Sequence, residues 1–313
     1  MKHRTPLRAG LVAAMALAAM LAHSCAAQTS SEADGAQLSA EYVGSYVWKL
    51  DEPDFGGYSG LEVQENGQKF TALSDRATLR WGRIQRDEQG AITGLETEGE
   101  ARLHDSRGQP LKPGHQGDSE GLAIGQDGTI WISFEGLTRV AGYATPQSNA
   151  QVLPRPPAFR QMQRNSSLET LAILPDGTLL TVPERSGSPT TPFPVYRFRN
   201  HRWDQPFSIP RDGDWLAVDA EIGPDGRFYL LERDFLGLLG FRSRVRRFDI
   251  SDTALSNPQV LLATRPLQYG NLEGLSVWDD GQGIRLSMIS DDNFNMLLRT
   301  ELVEYRLVKA PAP

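Results

Sequence analysis

Carboxylates in this 313-residue chain recur at the two ends of short apolar segments, and an arginine directly follows several of them. Glu120 and Glu135 bracket one segment, Glu169 and Glu184 a second, and Glu273 and Asp291 a third. Asp75 and Glu232 close two more, while Arg76, Arg185 and Arg233 come immediately after Asp75, Glu184 and Glu232. Acids drawn from several segments suit a hard divalent cation, calcium above all, which takes about six to eight oxygen ligands. Asp75, Glu135, Glu184, Glu232, Asp291 and Asp292 are the candidate metal ligands, the last two within the oxygen-rich run Ser290-Asp291-Asp292-Asn293-Phe294-Asn295. That run lacks EF-hand spacing. A bound ion would polarise a phosphoryl or carbonyl oxygen and acidify a bound water. Glu120, Glu169 or Glu273 would then serve as general base, provided that burial and neighbouring acids raise its pKa. Arg76, Arg185 and Arg233 would hold anionic substrate oxygens in a planar fork. A plainer reading competes for every one of these acids: a brace that accepts backbone N–H groups from the neighbouring structural unit or pairs with the adjacent arginine.

The elements that must position these groups form a repeat. Each unit is a short apolar strand, a Gly turn, a second strand and an acid: Ser59-Gly60-Leu61 to Asp75, Glu120-Gly121-Leu122 to Glu135, Glu169-Thr170-Leu171 to Glu184, Leu216-Ala217-Val218 to Glu232, and Glu273-Gly274-Leu275 to Asp291. The turn glycines Gly67, Gly128, Gly177, Gly226 and Gly281 recur at roughly the blade period of a propeller. Asp-Gly between apolar runs, as at Asp127-Gly128 and Asp176-Gly177, is a strong hairpin signal because glycine accepts positive φ. Outer strands follow, and no segment carries a sustained helical period. The expected fold is all-β: a single propeller of five or six blades, closed by pairing of an N-terminal strand (42–50) with a C-terminal one (302–308). The long first interval leaves room for a sixth blade. Antiparallel inner strands place both acids of a unit at one rim, opposite the Gly turns, so the pairs converge on one mouth of the channel. Glu232 comes one residue early relative to Glu184, and such a shift turns a side chain to the other face, leaving Arg233 towards the channel. Arg242, Arg244, Arg246 and Arg247 alternate along an outer strand and suggest an exposed face.

Residues 1–27 have a basic start and an apolar run rich in Ala and Leu, the pattern of a secretory signal and too short for a membrane span. Residues 28–40 suggest a flexible leader, and 41–310 the propeller. Periplasmic export is expected, with a lipoprotein anchored through Cys25 as the alternative. Cys25 is the only cysteine, which excludes a disulfide framework, a thiolate zinc site and a cysteine nucleophile from the folded part. The chain carries a net charge of −7, and loss of Lys2, Arg4 and Arg8 leaves 29 basic against 39 acidic side chains. Such a protein is poorly suited to nucleic acid or an anionic membrane. A small anionic or ester substrate fits better. No Gly-x-Ser-x-Gly elbow supports a serine hydrolase, and His104 and His115 sit in a polar stretch where solvation is the ordinary role.

The stretches Asp118-Ser119-Glu120-Gly121-Leu122, Leu168-Glu169-Thr170-Leu171, Leu231-Glu232-Arg233-Asp234-Phe235, Asn271-Leu272-Glu273-Gly274-Leu275 and Ser290-Asp291-Asp292-Asn293-Phe294 resemble the phytase-like family of exported bacterial proteins with esterase-like activity. The resemblance implies a β-propeller and a hydrolase, without assigning a catalytic residue. True propeller phytases have a denser set of calcium-binding acids. A metal-dependent hydrolase of phosphate or carboxylic esters, a non-catalytic binding propeller of the cell envelope, and a sugar-lactone hydrolase are the three readings that remain.

Overall fold

The Asp-Gly turns close hairpins as their chemistry requires: Gly128, Gly177 and Gly226 have φ of 82°, 83° and 71°, which a Cβ would oppose. A computed structural model describes residues 37–163, 166–295 and 297–310. The expected signal segment and Cys25 lie outside the described residues. Strand β1 (Leu38–Val47) begins inside the stretch expected to be a flexible leader.

Five four-stranded antiparallel sheets follow one another along the chain. Blade 1 is β2 (Tyr58–Gln64), β3 (Lys69–Ser74), β4 (Thr78–Arg86) and β5 (Ile92–Arg102). Blade 2 is β6 (Ser119–Ile124), β7 (Ile130–Phe134), β8 (Arg139–Tyr143) and β9 (Gln151–Val152). Blade 3 is β10 (Ala172–Ile173), β11 (Leu179–Thr181), β12 (Phe193–Arg199) and β13 (Arg202–Ile209), and blade 4 is β14 (Leu216–Ile222), β15 (Phe228–Phe235), β16 (Phe241–Ile250) and β17 (Leu255–Ala263). Blade 5 takes β18 (Asn271–Asp279), β19 (Ile284–Asp291) and β20 (Glu301–Lys309) from the C-terminal side and β1 from the N-terminal side. That sheet closes the ring, and the Trp48 amide donates to the Thr300 carbonyl at 3.0 Å beside it. The blade number is five. The long first interval is filled by the 9- and 11-residue strands β4 and β5 and by an excursion in which His104 bridges Pro110 and Asn149.

The first strands β2, β6, β10, β14 and β18 line the axis, each touching the next and β18 touching β2. Their approach explains a glycine in the repeat. A Cβ on Gly121 would lie 2.6 Å from the Leu171 amide nitrogen, and one on Gly274 would lie 2.9 Å from that of Leu61. The cores lie between blades rather than within them. Leu73, Leu79 and Leu103 of the blade 1 side meet Leu122, Ile132 and Phe134 of blade 2, and Leu180 and Val195 of blade 3 meet Phe228 and Leu230 of blade 4. Each such fully buried side chain contributes about 1.5–3 kcal/mol.

Some inner-strand acids act as the braces considered above. The Glu62 carboxylate accepts from the Ile124 amide of the next blade (3.1 Å), and Asp219 accepts from Leu275 (2.7 Å) and Ala220 (2.8 Å). Glu221 accepts from the Val277 amide. Burial pushes Glu62 up to about 8 and Asp219 and Glu221 well above the usual carboxylate range.

Candidate functional site

A β-bulge opens the inner strand at the mouth. In blade 5, Asn271 pairs with Asp291 and Leu272 with Ser290, after which Glu273 is skipped and Gly274 pairs with Ile289. Blade 1 repeats this with Ser59 skipped, and blade 4 with Val218. In blade 2 the interruption falls between Ser119 and Leu122, across Glu120. A bulge leaves its extra residue unpaired and re-aims the side chain. Blade 4 therefore presents Val218 at this position. The same register sets Arg233 opposite Leu216, as Asp291 is opposite Asn271. Arg233 thus stands where the other blades carry Asp75, Glu135, Glu184 and Asp291.

These side chains meet. Asp118, Glu120 and Glu135 each offer an oxygen within 4.8 Å of the others, an arrangement able to hold a metal ion. Glu135 lies beside Asp118 and Glu169. It also accepts from the Ser167 amide at 3.1 Å, which fixes it across the junction between blades 2 and 3. Two ionised carboxylates repel at such range, so each contact needs a proton or a cation between the pair. Burial, then Asp118, Glu135 and Asp75, hold Glu120 well above the usual carboxylate range. Burial, then Glu120, Glu184 and Glu135, do the same to Glu169. Burial pushes Asp75 up to about 6 and Asp291 to about 7.

Arg233 supplies positive charge from within. It donates to Glu184 (3.1 Å), to Asn271 (2.9 Å) and to Glu273, and Asn271 donates in turn to Glu273 at 2.7 Å. It is an internal counter-ion that ties blades 3, 4 and 5 together. Arg185 pairs with Glu184 at 3.3 Å and is exposed. Arg76 sits over the Phe294 ring, its guanidinium carbon 3.1 Å from the ring centre. Asn293 and Phe294 adopt left-handed backbone (φ 49° and 48°), and Asp291 and Asp292 accept their amides at 2.7 and 3.0 Å. Asp292 also accepts from Gly57 (3.0 Å) and Thr300 (3.1 Å), so its oxygens brace the loop.

Two expectations need correction. Glu232 does not reach the mouth: it is fully buried within blade 4, where Arg244 and Arg246 each approach it at 2.7 Å. The one-residue offset turns Glu232 away from the mouth, and Arg244 and Arg246 of β16 are buried to meet it rather than exposed, while Arg242 pairs with Asp234 and Arg247 with Asp225. Asp118 joins the candidate ligands although it lies outside the strands of the repeat, just before β6. Its carbonyl accepts the Glu135 amide at 2.9 Å, which carries it to the rim. His115 is exposed and lies near Asp118, which burial pushes up.

The phytase-like family model, described as esterase-like activity of phytase, matches residues 53–294. The chain belongs to the phytase-like family. No curated protein matches this phytase-like chain. Among solved structures it is similar to an α-L-arabinofuranosidase from Podospora anserina in complex with cellotriose, at 13% identity over 87% of this chain and 97% of that one, TM-score 0.51. A PQQ-bound aldose sugar dehydrogenase from Streptomyces coelicolor aligns at 12% identity over 87% and 99%, TM-score 0.48. A catalytically inactive virginiamycin B lyase from Staphylococcus aureus with quinupristin aligns at 13% over 86% and 75%, TM-score 0.42. At these identities the likeness concerns the fold. Among the described residues of this phytase-like propeller, no helix is long and apolar enough to cross a membrane.

Proposed function

We propose that this phytase-like propeller is an exported, metal-assisted hydrolase of phosphate or carboxylic esters that works at its acidic mouth. The observation that carries the reading is the convergence of Asp118, Glu120 and Glu135 within 4.8 Å, beside further acids whose contacts require a cation or protons. An all-oxygen donor set favours calcium. Asp118, Glu120 and Glu135 would hold the ion, with Asp75 and Asp291 next to them. A bound cation would supply Lewis acidity towards a phosphoryl or carbonyl oxygen.

The chain's own groups do the rest. Glu169 is buried among acids that raise its pKa, as a carboxylate general base requires. Arg76 and Arg185, at the edge of the mouth, take the anionic oxygens of the substrate, while Arg233 keeps Glu184 and Glu273 in position. Glu273 is thereby engaged, which favours Glu169 over it as base. Export rests on residues 1–27, with anchoring through Cys25 as the alternative.

A panel of phosphomonoesters, carboxylic esters and lactones, run with calcium and with chelator, tests the proposal. Calcium-dependent turnover of an ester that Glu169→Gln reduces by about 100-fold is expected for loss of a general base. Calcium binding without turnover of any panel member would instead favour a binding propeller of the envelope.

A further inference from the structure

A second concavity adjoins the mouth. It encloses about 740 Å³ and lies between the N-terminal segment at Val47–Phe55 and the residues Asp292, Phe294, Leu298 and Thr300. That volume is in the range of small-molecule sites, roughly 300–1,000 Å³. Its walls are aromatic and aliphatic: Trp48, Phe55, Phe294 and Leu298. Three cations, Lys49, Arg76 and Arg299, line it against one acid, Asp292, whose oxygens are already occupied by Gly57, Phe294 and Thr300. Arg299 is paired with Glu301, but Arg76 has no carboxylate within ion-pair distance among the described residues. Trp48 forms part of the wall with its ring packed against Phe55, Tyr58 and Phe70. An apolar chamber whose cations outnumber its acids, with the Arg76 guanidinium stacked on an aromatic wall, is complementary to an aromatic anion.

We infer that this side cavity binds the aryl group and adjoining anionic group of the substrate, making the preferred substrates aromatic esters or phosphoesters with a negative charge near the ring. The inference deepens the hydrolase reading and rests on it for the word substrate, but binding alone does not. Arg76 and Asp292 belong to both spaces: they line the cavity, and both act electrostatically on Asp75 of the mouth. A ring seated against Phe55 and Phe294 would leave its ester within reach of the rim.

The test is calorimetric titration of 1-naphthoate into the full chain with EDTA present. Naphthoate is expected to bind about ten-fold tighter than acetate, which lacks the ring, and about ten-fold tighter than 1-naphthylmethanol, which lacks the charge. Leu298→Trp, which fills the chamber, and Arg76→Gln should each weaken it by about ten-fold. Melting curves establish that each variant is folded. Should a variant not fold, the wild-type ¹H–¹⁵N spectrum decides: the indole signal missing from Trp48→Phe must move as naphthoate is added. Equal affinity for naphthoate and naphthylmethanol, a static Trp48 signal, or full affinity in folded Leu298→Trp each overturns the inference. Because metal is absent, failure here leaves the hydrolase reading standing. Naphthoate binding with no turnover in the ester panel does the converse.

Discussion

Replacing Arg233 with glutamine removes the cation that bridges Glu184 and Glu273, whose side chains are only 7% and 15% exposed. Breaking a buried pair from one side costs about 3–5 kcal/mol, because the partner's charge stays behind without compensation. Arg233 is itself 19% exposed, so the lower end applies, about 3 kcal/mol. In a domain of this size that lowers the melting temperature by about 6–10 °C. The loss should depend on pH. Arg233 also favours the charged forms of Glu120, Glu169 and Asp291, all of which burial pushes towards protonation. At pH 5.5 Asp291, raised to about 7, is mostly neutral and needs the arginine less, so the loss should be smaller than at pH 8. Calcium should restore more of the stability of Arg233→Gln than of the wild type, since it supplies the missing charge. Urea unfolding at pH 5.5 and 8, with and without calcium, measures all three. An equal loss at both pH values, or identical calcium responses, would refute the view that Arg233 is the mouth's counter-ion.

Other outcomes follow from the same geometry. Asp75 and Asp291, raised to about 6 and about 7 from near 4, give the folded chain more bound protons than the unfolded chain over that window. Their contribution to stability is therefore full below about pH 4 and lost as pH rises through 6 to 7, so metal-free protein should melt lower at pH 8 than at pH 5.5, by an amount that calcium reduces. Glu232→Gln should cost about 3–5 kcal/mol in urea unfolding, because Arg244 and Arg246 lose a shared partner, and should leave calcium binding unchanged. Gly121→Val should prevent folding, since a Cβ there lies 2.6 Å from the Leu171 nitrogen. Gly128→Ala, in an open turn with φ 82°, should cost only about 1–2 kcal/mol by thermal melting.

What was legible in the sequence was whatever has a local cause. Asp-Gly turns between apolar runs announce hairpins, their recurrence announces blades, and the offset of Glu232 announces that Arg233 takes its place at the rim. What depends on three-dimensional approach was not legible. Nothing local shows that Gly121 is required by the passage of Leu171 past it. The bulges were equally hidden, although they decide which residue of each inner strand is unpaired. Glu62, Asp219 and Glu221 sit mid-strand like solvated acids, yet they brace amides in neighbouring blades. The alternating arginines of β16 read as surface because the matching charge, Glu232, lies on another strand. Trp48 and Phe294 are more than 240 residues apart in number and meet at one cavity only because blade 5 is built from both termini.

A metal-holding rim is tested most directly by calorimetric titration of calcium into metal-free wild-type protein and Glu120→Gln. One site per chain in the wild type, weakened at least about ten-fold by the loss of a ligand charge, is the expected result. No heat up to millimolar calcium, or the same affinity in both proteins, would show that the clustered carboxyls are kept together by protons and Arg233 alone.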